Sequence, residues 1–133
     1  MDTQTSKKTI LIVEDELPLL HAVDDKLKKS GYDTFPASRV DQAIEYLKTN
    51  PHIDAVWLDH YLPGKTGDEL VVYMKQDGST YNHIPIFLVS NTATADKVYS
   101  YMHLGIDRYF VKADRRLDEI IADVTKFLET AQS

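Results

Sequence analysis

Five side chains in this sequence could do chemistry together: Glu14, Asp15, Asp59, Ser90 and Lys112. Each follows or closes a short run of β-forming, mostly apolar residues. Ala55-Val56-Trp57-Leu58 ends in Asp59, ahead of His60-Tyr61-Leu62-Pro63-Gly64. Ile10-Leu11-Ile12-Val13 runs into Glu14-Asp15-Glu16, Ile86-Phe87-Leu88-Val89 into Ser90-Asn91, and Arg108-Tyr109-Phe110-Val111 into Lys112. A β-rich run that ends in a carboxylate before a Pro-Gly turn puts that carboxylate at the carboxyl end of a buried strand. In open α/β sheets this is the edge where sites form.

Carboxylates gathered at one strand edge repel one another, which raises their pKa values and costs stability. A hard divalent cation relieves the repulsion. Mg²⁺ takes oxygen ligands, keeps several waters and needs only one or two carboxylates plus a phosphate. Glu14, Asp15 and Asp59 suit it, and a backbone carbonyl near Tyr61 could complete the shell. With the charge neutralised, Asp59 is a candidate nucleophile toward a phosphoryl group. The equatorial phosphoryl oxygens then find partners in the metal, the Lys112 ammonium and the Ser90 hydroxyl. Taken singly, each residue has a plainer reading. Glu14-Asp15-Glu16 suits a helix N-terminus, Ser90 a cap or turn, Lys112 a solvated surface and Asp59 a turn. The conjunction at strand ends is what carries the chemical reading.

The elements that must position these residues alternate. Strands are expected at about Thr9–Val13, Tyr32–Pro36, Ile53–Leu58, Ile84–Val89 and Arg108–Val111. Between and after them lie helices at roughly Pro18–Ser30, from Ser38 through Leu47, from Thr66 to about Gln76, at about Ala95–Leu104 and from Leu117 onward. Ser38 with Asp41, and Thr66 with Glu69, have capping-box spacing. Gly31 and Gly105 are stops. Five βα units in one run argue for a flavodoxin-like, doubly wound parallel sheet with helices on both faces. Pro36 cannot donate to a ladder, so its strand belongs at an edge. The order 2-1-3-4-5 meets that demand and makes strands 1 and 3 neighbours, bringing Asp15 near Asp59.

The 133 residues suffice for one domain, taken as 1–133 with an ordered core of about 8–130. The net charge of −6 gives no nucleic-acid footprint, and no cysteine is present for disulfides or thiolate metal sites. No apolar run approaches the roughly 20 residues a membrane span needs. The polar start lacks a secretory h-region. Together these point to a soluble, cytoplasmic protein. The Lys26-Lys28-Lys29 cluster fits a helix C-terminus. The five histidines show no metal-ligand spacing, and Tyr99, Tyr101 and Met102 read as helix-face packing.

The pattern resembles the receiver domain of two-component response regulators, in its single-domain, chemotaxis-regulator-like form. The resemblance covers essentially the whole chain. It is carried by Val13-Glu14-Asp15-Glu16, Leu58-Asp59-His60-Tyr61-Leu62-Pro63-Gly64, Val89-Ser90 and Tyr109-Phe110-Val111-Lys112. It implies Asp59 as phospho-acceptor, Glu14 and Asp15 as the acidic pair, and Ser90 as the switch hydroxyl. It also implies Tyr109 as the switch aromatic and Lys112 as the phosphate-binding lysine. The implied donor is a histidine kinase or histidine phosphotransfer protein, and the output is a downstream protein or an output domain. The implied role is a signalling switch rather than an enzyme.

Two departures stand out. Ala113 replaces the proline usual after the lysine, and base rates favour a trans Lys112–Ala113 bond. Asn91 replaces the usual small residue after Ser90. These departures sustain the alternative of a receiver-like interaction module that works without phosphorylation. A haloacid-dehalogenase-type phosphatase ranks low, because Tyr61 stands where that family needs a second Asp. A flavin binder also ranks low, because no glycine- and hydroxyl-rich phosphate loop follows Val13.

Overall fold

The computed structural model describes residues 7–59, 66–91 and 94–130. The elements run β1 (Thr9–Val13), α1 (Leu17–Lys29), β2 (Asp33–Ala37), α2 (Val40–Thr49), β3 (Ala55–Leu58), α3 (Gly67–Lys75), β4 (Ile86–Ser90), α4 (Ala95–Leu104), β5 (Arg108–Val111) and α5 (Leu117–Thr130). All four strand pairings are parallel, and the order is β2-β1-β3-β4-β5. The expected fold is therefore present. Pro36 lies on the edge strand opposite Ile12, where its missing N–H costs no central ladder bond.

Strand alternation divides the apolar residues between two cores. Ile10, Ile12, Ala55, Trp57, Phe87 and Val89 face α1 and α5. Leu11, Val13, Val56, Leu58, Ile86 and Leu88 face α2, α3 and α4. The central strands are thus apolar on both sides, as parallel strands buried under helices must be. The two covered faces leave the carboxyl ends of the strands as the place for polar side chains.

Several boundaries differ from expectation for identifiable reasons. β3 begins at Ala55 rather than Ile53. Asp54 donates its N–H to Thr9 O and accepts Thr9 N–H on Oδ2, both at 2.8 Å. β4 begins at Ile86 rather than Ile84 because Pro85 has no N–H to give. Its carbonyl still accepts from Val56 N. Asp107 clamps the start of β4 as Asp54 clamps β1, accepting Ile86 N–H and donating to Ile86 O, both at 2.9 Å. The Ser38–Asp41 box does not form. Arg39 is the N-cap of α2, and Gln42 Oε1 accepts from Ser38 N at 2.9 Å instead. The Thr66–Glu69 box does form, with Glu69 Oε2 accepting from Thr66 N at 3.3 Å.

α4 ends where expected. Gly105 adopts φ 111°, a left-handed value that glycine takes without steric cost. Of these three α4 residues Tyr101 packs inward, while Tyr99 and Met102 are exposed, which corrects their reading as packing residues. Of the histidines, the described His21, His52, His83 and His103 are all exposed.

Candidate functional site

The register brings the polar strand ends together. Val13 and Leu58 are paired in the β1–β3 ladder, and Asp59 N–H donates to Val13 O at 2.9 Å. Glu14 and Asp59 therefore leave adjacent strands side by side. Ligand oxygens of Glu14, Asp15 and Asp59 all lie within 4.8 Å of one another. Glu14 and Asp59 are buried, while Asp15 is exposed at the mouth.

Lys112 closes the group from the far side of the sheet. Its backbone N–H donates to Ser90 O at 2.7 Å, extending the β4–β5 ladder one residue past β5. From there Nζ donates to Glu14 Oε1 at 3.1 Å and lies 3.6 Å from Asp59 Oδ1. The Lys112–Ala113 peptide is trans, as base rates favoured, since no described peptide bond is cis. The ammonium reaches both carboxylates with that geometry. Ser90 is fully buried at the end of β4. Asn91, next along, is exposed.

The electrostatics follow from burial. Desolvation pushes the Glu14 carboxyl up to about 7, helped by the Asp59 charge and opposed by Lys112 and by a hydrogen bond from Glu16 N. The Lys112 ammonium thus only partly offsets the crowded carboxylates. The deficit is of the kind that an oxygen-loving divalent cation relieves.

Tyr109, on β5 opposite Leu88, is half-buried, with its ring centroid 6.2 Å from that of Tyr101 at 65°. Tyr101 itself was not singled out for this site from the sequence. Its ring is buried, and its hydroxyl accepts from the Asp68 backbone N–H in the first turn of α3. α3 is the first described helix after Asp59. Burial, first, and the nearby acids raise its phenol above the ordinary range. Trp57 lines a cavity of about 130 Å³ beside Lys112, with Leu19, Val23 and Ile120. Tyr61, expected to offer a backbone carbonyl, lies outside the described residues.

The family model for the response regulator receiver domain matches residues 10–125. The chain belongs to the response regulator receiver family. Among curated proteins, this receiver domain is 33% identical over 105 residues to the phosphate regulon transcriptional regulatory protein PhoB of Pseudomonas aeruginosa, and 30% identical to that of Escherichia coli. Each match covers 79% of this chain and 45% of the relative, so the chain spans less than half the length of these relatives. Among solved structures, a receiver domain protein (CheY-like) from Methanospirillum hungatei superposes with a TM-score of 0.84 at 20% identity, covering 96% of this chain and 98% of that one. A two-component response regulator from Clostridium difficile gives 0.86 at 20% identity, covering 96% and 100%. These structural likenesses support the flavodoxin-like receiver fold. Among the described residues, no helix is long and apolar enough to cross a membrane.

Proposed function

We propose that residues 1–133 form a single phospho-accepting receiver domain in which Asp59 takes a phosphoryl group from a phosphohistidine. An Asp59 carboxylate oxygen attacks phosphorus. The phosphorus–nitrogen bond to the donor imidazole breaks, and its electron pair leaves with the imidazole, which then takes a proton. The donor is a histidine kinase or a histidine phosphotransfer protein. The observation that carries this reading is Lys112 Nζ set between Glu14 and Asp59 where three carboxylates converge. The ammonium lies 3.6 Å from Asp59 and is in place to pair with a phosphoryl oxygen. That reach also favours phosphorylation over the phosphorylation-independent module.

The donor set fits Mg²⁺. It is all hard oxygen, with ligand atoms close enough to share one ion. Glu14, Asp15 and Asp59 would hold it, with the Tyr61 carbonyl as a further ligand. When bound, Mg²⁺ supplies positive charge against the carboxylates and the phosphoryl oxygens. Ser90, at the neighbouring strand end, offers a hydroxyl to the phosphoryl group. Movement of Ser90 would open space for Tyr109 to turn inward, changing the surface formed by α4, β5 and α5. The chemistry is confined to the domain's own phosphorylation and dephosphorylation. The domain acts as a cytoplasmic signalling switch that binds neither nucleic acid nor membrane directly.

Amide hydrogen exchange with and without beryllofluoride and Mg²⁺ tests this reading. Changed protection across residues 90–112 is expected. Changes confined to the residues immediately after Asp59 would refute the switch.

A further inference from the structure

A groove between β5 and α5 is lined by cations and aromatic rings. It encloses about 470 Å³ and is lined by Arg108, Tyr109 and Phe110 of β5, by Arg115, and by Lys126 and Phe127 of α5. Three cations face it against one carboxylate, Asp123, in a chain whose net charge is −6. Arg115 is committed to Asp123 and lies 5.6 Å over the Phe110 ring. Among the described residues, Arg108 and Lys126 form no ion pair. Arg108 instead lies over the Phe127 ring at 4.9 Å and donates one N–H to Asp107 O. An arginine stacked on an aromatic is pre-organised, and the rest of its fork suits a carboxylate. β5 is also the outer strand of the sheet, with only β4 beside it. An outer strand presents backbone groups along which an extended chain can lie.

We propose that this groove binds an acidic, extended segment of a partner protein, its carboxylates on Arg108 and Lys126 and its apolar side chains on the aromatic floor. The inference rests on the reading that the β5 side carries the output, and it assigns the chemistry of what reads it. A polypeptide is favoured over a nucleic acid. Three cations are a small footprint, and the remaining negative charge of the chain repels a long polyanion within a screening length of about 8 Å.

The probe is a short fluorescein-labelled peptide of alternating glutamate and leucine, followed by fluorescence anisotropy with the full chain. It is measured with and without beryllofluoride and Mg²⁺. Binding is expected, weakening as salt is raised, with amide shifts at residues 108–111 and 123–130. R108E/K126E should lower the affinity by more than about tenfold, and the neutral R108Q/K126Q by less. Circular dichroism checks that each variant is folded. An alternating lysine-leucine peptide should not bind.

Affinity in R108E/K126E within about twofold of the parent would overturn the proposal. So would equal binding of the lysine peptide, or tighter binding of a single-stranded oligonucleotide. Self-association that R108E/K126E abolishes, without peptide binding, would assign the groove to a second copy and overturn it as well. The two levels separate cleanly. Equal binding with and without beryllofluoride supports the groove and counts against switching alone. No binding in either state overturns the groove, whatever Asp59 does.

Discussion

Replacing Lys112 with methionine removes, among the described residues, the ammonium facing the buried carboxylates while keeping most of the stem. Nζ lies 3.1 Å from Glu14 Oε1 and 3.6 Å from Asp59 Oδ1. At an effective dielectric of about 20, each attraction is on the order of 5 kcal/mol. The net loss is smaller for two reasons. Asp15 opens the site to water, and Glu14 can take up a proton to relieve the repulsion. Lys112→Met is therefore expected to destabilise the metal-free protein by about 2–4 kcal/mol at about pH 8.

The pH dependence has a definite sign. Glu14 has its folded-state pKa raised from 4.5 to about 7. A carboxyl shifted upward contributes stability below its unfolded value and loses it as the pH rises through the folded one. Lys112 is a lowering influence on Glu14, so its removal raises that pKa further and steepens the loss above about pH 5. The variant's deficit should be smaller at about pH 5, where Glu14 is largely protonated and only the 3.6 Å pairing of Lys112 with Asp59 is lost. Urea titrations at both pH values measure this directly, and saturating Mg²⁺ should recover part of the loss at the higher pH. An equal deficit at both pH values would show that the Lys112–Glu14 attraction contributes nothing, and would refute the reasoning.

Two further outcomes follow from the same contacts. Tyr101→Phe removes the acceptor for the Asp68 N–H and should cost about 1 kcal/mol in urea unfolding; an unchanged midpoint would contradict that bond. Asp15→Ala should weaken Mg²⁺ binding, followed by the fluorescence of Trp57 across the cavity beside Lys112, because Asp15 is the ligand at the mouth; unchanged affinity would remove it from the site.

Much of this architecture was legible in the sequence because the signals were redundant. Apolar runs on both strand faces, capping residues and Gly105 all agreed on alternating strands and helices. Pro36 singled out the edge strand, and the strand order then brought Glu14, Asp15 and Asp59 together. The misses come from contacts that sequence spacing alone does not announce, some distant along the chain and some local. Asp54 and Asp107 look like ordinary loop acids, yet each clamps the start of a strand far along the chain. Local spacing paired Ser38 with Asp41, but Gln42, one residue further, satisfies the Ser38 N–H. The clustering of Tyr99, Tyr101 and Met102 suggested packing, but helix geometry turns only Tyr101 inward. The hydroxyl of that residue meets a backbone group that no sequence pattern announces. The 3.1 and 3.6 Å contacts of Lys112 likewise depend on how the chain turns at Ala113.

The central claim is that Asp59 accepts a phosphoryl group, and intact mass after incubation with a small-molecule phosphodonor and Mg²⁺ tests it most directly. The wild-type chain should gain the mass of one phosphoryl group and lose it on alkaline hydroxylamine treatment, as an acyl phosphate does. Asp59→Asn should gain none. A phospho-adduct of the same yield in Asp59→Asn, or no adduct in the folded, Mg²⁺-saturated wild type, would contradict the account.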